Sequence, residues 1–189
     1  EPLPAWRISH HGAVDGVTGS CHQLSLADGQ SLLIDCGLFQ GAETSREGAS
    51  AERLAVNFPV GRVRALVVTH VHIDHVGRLP HLLAAGYRAP IICSEASAKL
   101  LPLVLEDAIK VGFTRERALA ERFLEQIRRQ IVALPYKEWQ TVVDGEDFEG
   151  LPERGEGGAD LVEQRADVVL LVEDGEDDGI GGFGGRGRG

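Results

Sequence analysis

Apolar and polar positions divide the chain into short runs with recognisable periods. Trp6 to Ser9 predicts a first strand. His10-His11-Gly12 through Ser20 is a glycine-punctuated loop, and glycine lets such a loop approach a ligand closely. Cys21 to Leu26 alternates with the period of a half-buried strand. Asp28-Gly29 marks a hairpin turn, and Ser31 to Cys36 reads as the partner strand leading into Asp35. Gly41 to Asn57 is polar and predicts a loop with a short helix. Val63 to Thr69 contains Ala65-Leu66-Val67-Val68, an unbroken apolar run that suits a buried strand. Val76 to Ala85 predicts a helix stopped by Gly86, and Ala89 to Cys93 another strand. Ser97 to Val111 reads as a helix bent at Pro102. Thr114 is placed to cap a further helix, in which Leu119, Phe123, Ile127 and Ile131 make an apolar stripe. Val132 to Val143 holds a short strand. Strands alternating with helices predict an α/β chain.

The pattern changes after Val143. Asp144 to Asp160 is acidic and glycine-rich, Ala166 to Val172 offers one strand-like run, and Glu173 to Gly189 ends in glycine and arginine. Residues 1–143 carry 15 acidic and 15 basic residues and sum to zero; residues 144–189 carry 14 acidic residues and 4 arginines and supply the whole net charge of −10. The expected organisation is one domain over 1–143 and an acidic, glycine-rich, largely disordered tail over 144–189. The balanced charge of the body neither favours nor excludes a polyanionic partner.

Three cysteines at wide spacing, Cys21, Cys36 and Cys93, argue for buried free thiols and a reducing, cytoplasmic setting. No apolar run is long enough to span a membrane and none resembles a signal peptide. With no Met in the chain, Glu1 reads as a trimmed start.

The chemistry concentrates in Thr69-His70-Val71-His72-Ile73-Asp74-His75, where a buried strand gives way to a helix. In extended backbone, side chains at i and i+2 point the same way, so His70 and His72 can reach one ion together. Once the chain turns into a helix, Asp74 and His75 point elsewhere and can serve a second ion. Imidazoles with an oxygen ligand suit a hydrolytic zinc site better than a structural one. For His10, His11 and His22 the commoner outcome is a loop or surface histidine, and for His81 a helix surface. Gly16 to Gly19 lacks the Lys of a phosphate-binding P-loop.

His70-Val71-His72-Ile73-Asp74-His75 resembles the signature of the metallo-β-lactamase superfamily. Gly16-Val17-Thr18-Gly19-Ser20-Cys21, Asp35-Cys36-Gly37-Leu38-Phe39-Gln40-Gly41, Leu101 to Asp107 and Leu134-Pro135-Tyr136-Lys137-Glu138-Trp139 resemble the β-CASP branch of RNA-processing nucleases. The resemblance covers residues 5 to 143. It implies the N-terminal half of an αββα sandwich with two zinc ions at one edge. His70 and His72 would hold the first ion, Asp74 and His75 the second, with Asp74 orienting the catalytic water and Asp35 supporting the site. The implied partner is RNA, with no membrane; the substrate-binding residues are not legible.

The chain departs from that family after Val143. The later Gly-His-x-x-Gly-Ser segment, the bridging Asp, the final His and the β-CASP cap are absent, and His81 is the last histidine. Two functions are therefore expected to compete. One is a zinc-dependent ribonuclease of the 3′-end-processing type. The other is a truncated or degenerate member that binds metal at most. With so few ligands, at most one weakly held zinc is expected, unless His10, His11 or His22, or a second chain in a homodimer, completes the shell.

Overall fold

The computed structural model describes residues 6–14, 16–26, 28–39, 54–110, 114–136, 139–143, 168–171 and 183–185. They fall into two units, Glu1–Leu134 and Pro135–Gly189. In the first unit six strands lie in chain order across one sheet: β1 (Trp6–His10), β2 (His22–Leu26), β3 (Ser31–Ile34), β4 (Val63–Val67), β5 (Ile91–Ser94) and β6 (Ile131–Leu134). β1, β2 and β3 pair antiparallel, and β3 to β6 pair parallel.

Parallel neighbours need crossovers. Helices α1 (Ile73–Val76) and α2 (Leu79–Ala84) carry the chain from β4 to β5. α3 (Glu95–Ala108) and α4 (Arg117–Gln130) carry it from β5 to β6. The apolar run of β4 is buried on both faces, as the crossover helices require. Leu33, Leu66 and Ile91 from the sheet share one core with Leu79, Leu82, Leu101, Leu105, Leu124 and Ile127 from the helices. Each such side chain contributes about 1.5–3 kcal/mol by leaving water.

Local chemistry sets the ends. Ser94 caps α3, its hydroxyl accepting from the Ser97 amide at 3.2 Å. Pro80 sits in the first turn of α2, where its missing N–H costs nothing. Gly86 ends α2 at φ +100°, where its amide bonds the Leu83 carbonyl.

The helix expected from Val76 instead begins at Ile73 and is interrupted at Gly77-Arg78. The metal motif therefore spans a helix start: His72 is the N-cap, and Asp74 and His75 lie in the first turn. α4 starts at Arg117 with Glu116 in the cap position; Thr114 accepts from the Glu116 amide two residues on, a local turn rather than a helix cap. Its buried face is Ala120, Leu124 and Ile127, so the expected stripe is rotated by one residue and Leu119 and Phe123 are half-buried at its margin. Ile131 leaves the helix and opens β6. Pro102 lies inside α3. The loop and helix expected over Gly41 to Asn57 fall largely outside the described residues.

The second unit is a three-stranded antiparallel sheet, β7 (Trp139–Val143), β8 (Val168–Leu171) and β9 (Phe183–Gly185). Two short strands thus lie within 144–189, the stretch expected to be largely disordered; its other residues are outside the described ones. Among the described residues no helix is long and apolar enough to cross a membrane.

Candidate metal centre

Three backbone segments meet at the C-terminal end of β3 and β4, and main-chain hydrogen bonds lock them together. The Ser20 amide donates to the Asp74 carbonyl at 2.9 Å, Cys36 to His75 at 2.8 Å, Gly37 to Ser20 at 2.8 Å and Leu38 to Ile73 at 3.0 Å. The approach is close enough to require glycine: a Cβ on Gly37 would stand 1.5 Å from the Asp74 carbonyl oxygen. The Asp-Cys-Gly segment and the His-x-His-x-Asp-His segment are therefore one structural unit.

At its centre is Asp35, 1% exposed and held at φ +58°. That dihedral is strained for most residues and tolerated by Asp. The carboxylate accepts from the Thr69 amide at 2.9 Å, from the Thr69 hydroxyl at 2.9–3.0 Å, from His75 Nδ1 at 2.7 Å and from the Ser20 hydroxyl at 3.2 Å. A buried carboxylate with this many donors is held in one orientation.

Those bonds fix the imidazoles. His75 donates from Nδ1 to Asp35, which leaves its Nε2 lone pair facing outward. His70 Nδ1 lies 3.1 Å from the Thr69 hydroxyl, whose own proton goes to Asp35, so His70 also donates from Nδ1 and presents Nε2. The Asp74 carboxylate stands 3.7 Å from His75 Nε2. The His70 ring centroid lies 3.9 Å from that of His75 and 4.6 Å from that of His72, which is exposed. The bond to Asp35 raises the His75 pKa against the opposing effect of burial. Burial, then the neighbouring His75 and His72, lower that of His70.

The structure thus brings His70, His72, Asp74 and His75 to one sheet end with Asp35 beneath them. Among the described residues no group of three His, Cys, Asp or Glu side chains is already set around a point where an ion could sit. The donors fit zinc in kind: imidazoles oriented by hydrogen bonds behind them, and a carboxylate facing one of their free nitrogens.

Three supporting residues had no role assigned by the sequence pattern, although Thr69 and Ser20 lie within its motifs. Thr69 links Asp35 to His70, and Ser20 adds a further donor. Arg78 is 3% exposed, donates from Nε to the Gly37 carbonyl at 2.6 Å, and lies over the Phe39 ring. Glycine-Ser and His-Val-Gly-Arg contexts do not announce burial; only the closed packing shows it. The cysteines are buried and free as expected. Cys21 and Cys36 share a hydrogen bond, and that bond together with burial pushes the Cys36 thiol well up. His81 is half-buried rather than a plain surface residue. His10, His11 and His22 stand on or beside the β1–β2 hairpin.

A mixed sheet whose parallel strands end in imidazoles and a carboxylate above a buried Asp defines an α/β protein with a candidate metal centre at one sheet end. Residues 18–186 match the family model of the metallo-beta-lactamase superfamily, and the chain belongs to that superfamily. The match runs past residue 143, further than the motifs alone reach. Among its relatives, a ribonuclease of Thermus thermophilus is 42% identical over 133 residues, 70% of this chain and 29% of that protein. Transcription termination factor FttA of Cenarchaeum symbiosum is 40% identical over 66% of this chain and 19% of its own length. Cleavage and polyadenylation specificity factor subunit 3-II of Arabidopsis thaliana is 27% identical over 73% of this chain and 23% of its own length. The chain therefore spans less than a third of each of these relatives. Their names agree with the RNA-processing branch that the Gly-Val-Thr-Gly-Ser-Cys and Asp-Cys-Gly motifs resemble.

Proposed function

We propose that the protein belongs to the β-CASP branch and acts as a zinc-dependent hydrolase on RNA phosphodiester bonds, in the cytoplasm. The observation that carries this is the Asp35 network, which aims the free nitrogens of His70 and His75 outward from one rigid sheet end. Names of relatives that include a ribonuclease support RNA as the substrate class.

When bound, zinc would supply hydroxide at neutral pH and offset the charge of the scissile phosphate. His70 and His72 would hold one ion, and Asp74 and His75 the other. Asp35 and Thr69 would keep the two ring tautomers fixed, so that only side-chain rotations remain to be made when an ion arrives. Asp74, half-buried beside His75 Nε2, would accept the proton of an attacking water.

The test is cleavage of labelled single-stranded RNA by the protein with zinc, repeated with His72→Ala and Asp74→Asn. Cleavage lost in both variants is expected. Hydrolysis of a thioester or β-lactam with RNA left intact would move the protein to another branch.

A further inference from the structure

A second pair of imidazoles lies on the β1–β2 hairpin. His10 ends β1, His22 begins β2, and the two are directly opposite in register. Their Nδ1 atoms face each other at 2.8 Å, with the rings at 80°. Two nitrogens that share one ion at about 2.0–2.1 Å stand roughly 2.9–3.4 Å apart, across the angles from square to tetrahedral. The pair therefore needs to open by only a few tenths of an ångström, roughly, to chelate a metal of this kind.

The surroundings preset one of the two rings. The Ser20 hydroxyl donates its only proton to Asp35. Its contact with His22 Nε2, at 3.4 Å, can then only be one in which the imidazole donates. With the proton on Nε2, the Nδ1 lone pair of His22 points at His10. Asp35 thus orients His22 through Ser20 while it orients His75 directly. His10 is exposed, and its Nδ1 donates to His22 Nδ1 in the closed pair; moving that proton to Nε2 frees both Nδ1 lone pairs for an ion. His11, next in sequence, is engaged elsewhere: its Nε2 pairs with Gln23 at 2.8 Å and its ring stacks on Phe58.

We propose that His10 and His22 form a two-imidazole site for a divalent transition-metal ion of the zinc or copper class, built from residues outside the His70–His75 motif. The ion's other positions are open to water or to an anionic oxygen. The site does not depend on the ribonuclease reading, since it follows from hairpin register and the Ser20 hydrogen bonds alone.

The experiment uses a His70→Ala, His72→Ala background, which disables the candidate centre, with Cu2+ as the spectroscopic probe and Zn2+ for titration calorimetry. One ion per chain is expected, with two imidazole nitrogens in the Cu2+ electron paramagnetic resonance spectrum. His10→Ala and His22→Ala should each weaken binding at least ten-fold, and His11→Ala should leave it unchanged. If that background does not fold, nitrogen NMR of the unaltered protein replaces it, and Zn2+ should shift the Nδ1 signals of His10 and His22 together. A folded background that binds no ion, binding indifferent to His10→Ala, or Nδ1 signals that do not move would overturn the site. The 2.8 Å contact would then be a simple hydrogen bond between neutral rings.

Discussion

β4 and β1 are five-residue strands of the same sheet with opposite surroundings. In β4 every residue but Arg64 is buried. In β1 Trp6 is 58% exposed and Ile8 49%, both on one face of the strand. β4 has hydrogen-bonded neighbours on both sides, β3 and β5, whereas among the described residues β1 is an edge strand paired with β2 alone. The groups beyond β4, Thr69 to His75, are therefore held by the core and by three converging segments. The groups at the end of β1 are held by one hairpin register. The same residue type, histidine, is rigidly preset in the first place and only half preset in the second.

That contrast is broken most severely from the core. Leu66→Ala, at a fully buried position of β4, should cost about 2–5 kcal/mol, whereas Ile8→Ala on β1 should cost under about 1 kcal/mol. Denaturant unfolding of the two variants measures the difference; equal losses would mean that the edge strand is as well packed as the centre.

Gly37→Ala comes next. Its new Cβ would have to displace the Asp74 backbone, so the two segments must part, at a cost of about 2 kcal/mol or more. Zinc affinity should fall with stability, and calorimetry on the folded variant would show it. A Gly37→Ala protein with unaltered affinity would mean that the junction does not position the ligands.

Asp35→Ala tests the bonds rather than the packing. It strands donors from Thr69, His75 and Ser20 and should cost about 1–3 kcal/mol. Zinc affinity should drop about 10–100-fold, because the imidazoles lose their orientation. An Asp35→Ala protein that binds zinc as tightly as the unaltered one would remove Asp35 from the site.

The smallest effect is in pH. Burial, and then the Arg78 charge, hold the His81 pKa below the ordinary 6.5. The unfolded chain then takes up this proton first, so His81 contributes stability that is complete above pH 6.5 and lost as pH falls through the lower folded value. His75 has the opposite sign: its pKa is raised, so its contribution is present below the ordinary value and lost as pH rises through the folded one. Melting temperatures between pH 5 and 8 should therefore fall less steeply on acidification in His81→Gln than in the unaltered protein (pH window from the ordinary His pKa of about 6.5). Parallel profiles would show that His81 titrates alike in the folded and unfolded chain.

Much of the fold was legible because its signals are local. Apolar runs and glycine turns mark β1 to β5, and the His-x-His-x-Asp-His spacing marks the candidate ligands by itself. The misplacements share one cause. α1 begins three residues earlier than the apolar periodicity suggests because His72, Asp74 and His75 are polar, and their helical turn is tied by main-chain hydrogen bonds to Cys36 and Leu38 rather than by its own apolar stripe. The face of α4 turned by one residue because packing against α3 and the sheet selects Ala120 and Leu124 over larger neighbours.

The chain's own pattern thus determined the α/β class, the buried β4 run, the superfamily motif and the identity of His70, His72, Asp74, His75 and Asp35 as the residues to examine. Only the tertiary structure decided which nitrogen each imidazole presents, that Asp35 serves His75 and His22 at once, and that Ser20, Thr69 and Arg78 stand behind the site. The physical reason is range. Periodicity and turn chemistry act over a few residues, whereas a hydrogen bond from His75 to Asp35 joins positions 40 residues apart and exists only once the strands have paired.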